Sequence, residues 1–442
     1  MAKVIKLRKG LDIRLKGAAA LDTATLKLSE EYALCPDDFC GVKPKPVVKE
    51  GDEVKVGDAL FVDKLHPEVK FVSPVSGVVS QIERGDRRKL LSIRVKADGK
   101  QNARKFDVKG DVKSLMLESG LFGMMLQRPY AVVPNPEDKP KSVFVSAFNS
   151  MPLAQNFEYV LEGQEAEFQA GLTALSKLGK LYLGVSSKQK AKALLEAKDC
   201  EVNVFDGPAP AGNVGVQINH IDPVNKGEIV WTMAPEVVIM LGRLLKEGVV
   251  DFTRKVAVCG SEVKSPKYVK AIVGAKLSDI LEGQIDKAAN NRVIDGNVMT
   301  GMKSSLEGFL GAQSTEVTVI PEGDDADEML GWIMPRFGQF STSRTYFSWL
   351  MPKKEYALDA RVKGGERHMI FSGEYDKVFP MDIYAGYLIK AIITEDIDRQ
   401  EALGIYEVAP EDFALAEFVC SSKLELQRIV RQGLDTLRKE NM

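Results

Sequence analysis

From Lys43 to about Val95 the apolar positions come in short runs of Val, Ile and Phe, each cut off by "KPKP", "KEGD", "KVGD", "SPVSG" or "RGD". Runs this short, bounded by turn residues, predict β-strands joined by tight turns. Within them "VKEGDEVKVGDALF" sets two Gly-Asp pairs six residues apart around Val54 and Val56, and "VSPVSGVV" sets Pro74 and Gly77 at another turn. Paired turns of this kind suit a barrel-sandwich folded from two similar halves.

Between about Phe106 and Lys255 the period changes. "SVFVSAF", "KLYLGVSS" and "EVNVFDG" read as strands, and the intervening "EAEFQAGLTALSKLG" and "KQKAKALLEAKDC" read as amphipathic helices. Strand-helix alternation predicts a parallel, Rossmann-like α/β sheet. "KVAVCGSEV" (255–263) opens a smaller α+β section with a helix at "KLSDILEG", reaching "STEVTVIPEG". The acidic, turn-prone "PEGDDADEMLG" (321–331) reads as a solvated loop and a boundary. Beyond it "DIYAGYLIKAIITED", "DIDRQEALG", "APEDFALAEFVC" and "LELQRIVRQGLDTLRKEN" show helical spacing, with Asp382, Asp396 and Pro410 where helix starts are expected. The expected organisation is therefore an N-terminal arm and barrel-sandwich over 1–105, an α/β domain over 106–255, an α+β domain over 256–330 and a helical domain over 331–442.

Composition narrows the function. With 442 residues, several modules are expected, because single cores stop growing at about 250–300 residues. Sixty Lys and Arg against 62 Asp and Glu leave a net charge of −2, which provides no field for a polyanion and argues against nucleic-acid binding. The basic start "MAKVIKLRKG" lacks the apolar core of a signal peptide. The least polar stretch, "IVWTMAPEVVIMLGRLL" (229–245), contains Pro235, Glu236 and Arg243 and falls short of the roughly 20 apolar residues that span a bilayer. Five scattered cysteines with no CxxC pair fit a reducing compartment, and three separated histidines form no metal signature.

The chemistry-bearing motifs are few. Lys64, behind Val62 and Asp63, raises the question of a biotin or lipoyl arm, but "DKLHPEVKFVSP" inserts His66 and Pro67 and makes a longer loop than a carrier hairpin has. After "FVSAF" the chain reads "NSMPLAQN", without the glycines of a dinucleotide-binding turn. In "DGPAPAGNVG" the prolines between Gly207, Gly212 and Gly215 point to a structural loop.

"GLDIRLKG" (10–17), "VKEGDEVKVGDALFVDK" (48–64), "SPVSGVV" (73–79), "SGLFGMMLQRPYAVVP" (119–134), "FVSAFNSMPLA" (144–154), "DGPAPAGNVG" (206–215), "DPVNKGEIVW" (222–231), "FPMDI" (379–383) and "EDFALAEFVC" (411–420) stand in one order along nearly the whole chain. In that order they resemble the A subunits of the sodium-translocating NADH:quinone reductases, which are related to the C subunit of the Rnf complex. The resemblance implies a multidomain α/β and β fold: a biotinyl/lipoyl-like barrel-sandwich, a Rossmann-like domain, a ubiquitin-like β-grasp domain of the SLBB type and a helical C-terminal domain. It further implies a peripheral subunit on the cytoplasmic side of the bacterial inner membrane, within a six-subunit respiratory complex that passes electrons from NADH to quinone and exports Na⁺. Its partners would be integral-membrane and peripheral subunits and quinone. Lys64 would be unmodified, as the module is in that family.

Flavin subunits related to this family bind FMN and NADH through a longer glycine-rich loop. At that place this chain has "SGLFGMMLQRPY", where Met124, Met125, Leu126 and Arg128 fill positions that need backbone access. Neither FMN nor an iron–sulfur cluster is expected, the cysteines being too dispersed for a cluster. A quinone needs an apolar slot and donors for its carbonyls. Phe122, Arg128 and Tyr130 from this segment, with Phe39 of "EYALCPDDFCG" as a second wall, are the candidate quinone-binding residues. The competing reading is that they pack a core or a subunit contact. A soluble flavin- or NAD-dependent electron-transfer subunit is the alternative function. No catalytic residue, bound metal or covalent cofactor is expected.

Overall fold

The computed structural model describes residues 3–286, 288–324 and 336–441. The acidic boundary run lies outside the described residues from Asp325 to its end.

The paired turns form as the sequence requires. Asp52 accepts a hydrogen bond from the Lys49 amide at 2.8 Å, and Asp58 accepts the same bond from Lys55 at the same distance. Gly51 and Gly57 lie in these turns with φ of 91° and 90°, left-handed conformations that glycine adopts without a Cβ clash. These turns separate two antiparallel layers. One runs Glu31–Leu34, Leu90–Ala97, Gly77–Arg84, Glu53–Val54, and the other Pro44–Pro46, Ala59–Asp63, Lys70–Val72. Between Asp63 and Lys70 the exposed Lys64 opens a six-residue loop, and buried Asp63 holds its base by accepting from the amides of Lys43 and Leu65 at 3.1 Å.

The α/β sheet has the order Lys3–Lys6, Glu201–Asp206, Lys180–Ser186, Ser142–Ser146, Val230–Met233, Met125–Arg128. All pairs are parallel except the last. Helices Glu165–Leu175 and Pro235–Glu247 cross closely on one face: a Cβ on Gly171 would run into the Val238 carbonyl, and one on Gly242 into that of Glu167. Only glycine permits that approach. The helix expected over "KQKAKALLEAKDC" shrinks to one turn, Lys192–Leu195, in which Leu194 alone is fully buried while Leu195 stays exposed.

The third sheet runs Met302–Ser304, Asn291–Asp295, Glu316–Pro321, Thr253–Cys259, Lys267–Ile272, Ala20–Thr25. Its expected helix is again a single turn, Leu277–Ile280.

The N-terminal arm, grouped by sequence with the barrel-sandwich, gives one strand to each of three sheets. Lys3–Lys6 extends the α/β sheet, Ala20–Thr25 extends the third sheet, and only Glu31–Leu34 joins the barrel-sandwich. Strand edges carry unpaired amides and carbonyls that any extended segment can satisfy, so local patterning does not reveal which sheet recruits the arm.

Helices dominate the C-terminal part: Glu374–Val378, Ala385–Ile393, Ile397–Ala402, Ala414–Val419 and Leu426–Glu440. Asp396 caps its helix by accepting from the Arg399 amide at 3.1 Å, and Pro410 starts a 3-10 turn. Asp382 lies short of its helix, which begins after Tyr384. Leu426, Val430, Leu434 and Leu437 form the buried stripe of the last helix. Their core also takes Ile5, Leu7 and Ile13 from the arm.

Candidate functional site

The four residues expected to hold quinone each have their own partners. Phe39 belongs to the barrel-sandwich core, 4.4 Å from the ring of Phe71, which stacks on Phe61 at 4.6 Å. It borders a gap of about 10 Å³ shared with Met124 and Gly120. Phe122 is fully buried, edge-on to Trp231 at 5.5 Å. Arg128 is also fully buried and reaches Glu411, 283 residues away, at 2.6 Å. Its Nε and Nη1 have no protein partner. Tyr130 takes a left-handed φ of 79° and accepts from Asn441, just past the last helix, at 3.2 Å. Nearby Cys35 is no reactive thiol: burial, and then the charge of Asp38, push it up to about 12.

The opening in this region lies beside that segment. The chain lays Ser142–Ser146 first, adds Lys180–Ser186 and Glu201–Asp206 on one side, then returns to place Val230–Met233 on the other. The reversal leaves a crevice at the carboxyl ends of Ser142–Ser146 and Val230–Met233, where open α/β sheets characteristically bind ligands. A cleft of about 270 Å³ opens there, walled by Met124, Leu126, Phe148, Met151, Phe157 and Met233. The helices Val214–Ile221 and Pro235–Glu247 begin at its rim, so Asn213 and Ala234 present the positive ends of two helix dipoles.

Glycine shapes this rim through packing. A Cβ on Gly212 would come 2.7 Å from the Ser150 amide, and one on Gly215 would collide with a carboxylate oxygen of Asp412. Asp412, wholly buried, accepts from Asn213 Nδ2 at 3.3 Å and from the Ala409 amide at 3.0 Å. Burial, and next the charge of Glu411, raise its pKa against the pull of Arg128. Glu411 itself lines the cleft.

The floor joins two domains. The Gln155 amide donates to Glu316 Oε1 at 2.9 Å, and Gln155 Nε2 donates to the carboxylate of Glu236. The Asn156 amide donates to the Tyr268 hydroxyl at 2.6 Å, and Arg254 donates to the carbonyls of Ala312 and Ser314 at 2.7 and 2.9 Å. Burial pushes Glu236 up to about 7, outweighing Arg254 and Gln155, so near neutral pH it holds a proton for much of the time. Gln155 Oε1 is buried without a protein partner. Apolar walls over a protonatable carboxyl and a free amide oxygen suit a small, uncharged, planar molecule bearing carbonyl or hydroxyl groups.

Sequence reasoning missed Gln155, Glu236 and Glu411. Glu236 was visible only as one of the residues that disqualify 229–245 as a membrane span. Its position directly after a strand, at a helix start, is the signal that strand order turns into a site.

Three family models match the chain in order: the NqrA N-terminal barrel-sandwich hybrid domain over residues 5–98, the NqrA second alpha/beta domain over 108–250, and the NQRA C-terminal (SLBB) domain over 255–305. The chain is 34% identical to the A subunit of the Na(+)-translocating NADH-quinone reductase of Yersinia pestis bv. Antiqua (strain Angola), over 99% of this chain and 100% of that one. It belongs to that family. The corresponding subunits of Klebsiella pneumoniae (strain 342), at 35% identity, and Neisseria meningitidis serogroup C, at 34%, match over the same shares. As a member of the NqrA family, the chain has the barrel-sandwich, α/β and SLBB units that its motifs imply, and its cleft opens from the second of these domains, with Thr300, Thr315 and Glu411 from later in the chain also lining it.

Proposed function

We infer that this chain works as a peripheral subunit of a Na⁺-translocating NADH:quinone reductase, the complex that reduces quinone with electrons from NADH and exports Na⁺. Likeness over the full length of both chains carries this reading. The chain stands on the cytoplasmic face of the inner membrane, one of six subunits, against integral-membrane partners. Those partners carry the Na⁺ path, since no helix among the described residues is long and apolar enough to cross a membrane. Its own part is structural: the arm that enters three sheets and the helical core ties these parts of the chain together. Isolation of the tagged chain from membranes of cells that make the other subunits tests this. NADH:quinone reductase activity should co-isolate with it, whereas recovery of the chain alone from the soluble fraction would sink the reading.

One observation favours a second role. The switch-point cleft combines apolar walls with the protonatable Glu236, the pairing that a quinone ring and its carbonyls require. Quinone contacts the protein there, and the chain holds no FMN and no iron–sulfur cluster. Calorimetric titration of the purified chain with a short-chain ubiquinone should show saturable binding that Phe148→Ala and Glu236→Gln weaken. A flat titration, or visible absorbance of bound flavin, would count against this role.

A further inference from the structure

Residues Arg336 to Lys354, "RFGQFSTSRTYFSWLMPKK", contain four cationic side chains and no carboxylate, the next acid being Glu355. The segment is folded and anchored. Phe340 packs on Tyr356 and Phe418 at 5.8 and 6.1 Å, and Tyr356 is tied by backbone hydrogen bonds to Arg14 and Lys16 of the arm. Inside the loop, buried Ser348 accepts from the Ser341 amide and donates to the Ser341 carbonyl, both at 3.1 Å.

A loop that closes on itself in this way could turn its large side chains inward, yet it does the reverse. Phe337 and Leu350 are each 58% exposed, Trp349 is 50% exposed and Phe347 39%. Phe337 stacks on Phe347 at 5.5 Å on the outside, and Arg344 lies 5.1 Å over the Trp349 ring. Lys353 is exposed beside them. Exposed apolar side chains gathered on one loop mark an interaction site. Trp and Phe interleaved with Arg and Lys form the composition that settles at the boundary between headgroups and acyl chains, with the cations held by anionic lipid.

We propose that this loop rests on the anionic surface of a lipid bilayer, inserting Phe347, Trp349 and Leu350 while Arg344 and Lys353 face the headgroups. Charge complementarity selects this occupant: a run of cations without a carboxylate matches the negative potential of the leaflet. The proposal goes beyond membership in the complex, and the isolated full-length chain tests it with no partner present.

The experiment is flotation with vesicles of phosphatidylcholine, with and without phosphatidylglycerol, for the wild type and two double variants, Trp349→Ser with Leu350→Ser and Arg344→Glu with Lys353→Glu. Near-ultraviolet circular dichroism serves as the folding control. The wild type should float only with vesicles containing phosphatidylglycerol and should be released by high salt. The Arg344→Glu, Lys353→Glu variant should bind at least about thirtyfold more weakly, two cations at about 1 kcal/mol each, and the Trp349→Ser, Leu350→Ser variant, which loses its apolar insertion, at least about tenfold more weakly. Failure of the folded wild type to float, or undiminished flotation of either variant, would overturn the proposal. A wild type that fails to float, with variants that disturb only assembly of the complex, would assign the face to a protein partner instead.

Discussion

Residues 119–130 and the cleft beside them draw on the same residue types and end in opposite states. The segment puts Phe122 and Met125 at zero exposure and spends Arg128 on Glu411. The cleft, walled by Met124 and Leu126 of the same segment, stays open over a buried carboxyl. Methionine, phenylalanine and a polar group therefore do not distinguish a core from a site. Strand order does: the segment continues the sheet as an antiparallel edge, while the cleft occupies the gap where strand order reverses and no side chain is obliged to fill the space.

The largest expected effect breaks the filled half. Phe122→Ala removes a fully buried ring against Trp231 and should cost about 3–5 kcal/mol in chemical denaturation. Affinity for the quinone analogue should be unchanged in the fraction that folds, and a stable variant with weaker affinity would move Phe122 from core to site.

The pH dependence sharpens the open half. Glu236 titrates near 4.5 when unfolded and about 7 when folded, so the folded state binds the proton more tightly and the slope of stability against pH is negative between these values. The contribution is fully present below about pH 4.5 and is lost as pH rises through about 7. Asp38, raised to about 7, and Asp295, raised to about 6, both chiefly by burial, act in the same direction. Stability should thus fall from pH 5 to pH 8. Glu236→Gln should make the fall shallower, by up to about 3 kcal/mol if the whole shift is realised. Equal slopes for the two proteins would show that Glu236 stays ionised.

Arg128→Met should be milder than its complete burial suggests. It leaves Glu411 without its partner, but that carboxylate is about one-third exposed and can turn to water, so a loss of about 1–3 kcal/mol is expected in thermal unfolding. Phe148→Ala, at the part-buried wall of the cleft, should cost about 1 kcal/mol of stability while weakening the quinone analogue severalfold. Smallest of all is Lys64→Arg: the intact protein should carry no added mass on residue 64, and the substitution should leave stability and activity of the complex unchanged.

Much of the fold was legible because its causes are local. The Gly-Asp turns need only a carboxylate three residues from an amide and a glycine free to adopt positive φ, and they form where the motif stands. The strand-helix alternation and the stripe of Leu426, Val430, Leu434 and Leu437 follow from periodicity, and Asp396 caps the helix it precedes. Where a segment had periodicity but little core to meet, as at 188–200, the helix collapsed to one turn.

The site was less legible, since each of its decisive contacts joins residues far apart in the chain. Gln155 meets Glu316, and Arg128 meets Glu411, across 161 and 283 residues. The composition and periodicity of the sequence determined by themselves which segments become strands, turns and helices, and motif order determined the family. Only the tertiary structure decided which sheet each strand of the arm enters, that Arg128 is a buried counter-ion, and that the opening lies at the carboxyl ends of Ser142–Ser146 and Val230–Met233. The physical reason is that strand edges and buried charges must be satisfied by whatever partner the completed topology brings within hydrogen-bonding distance, and a local pattern holds no record of that partner.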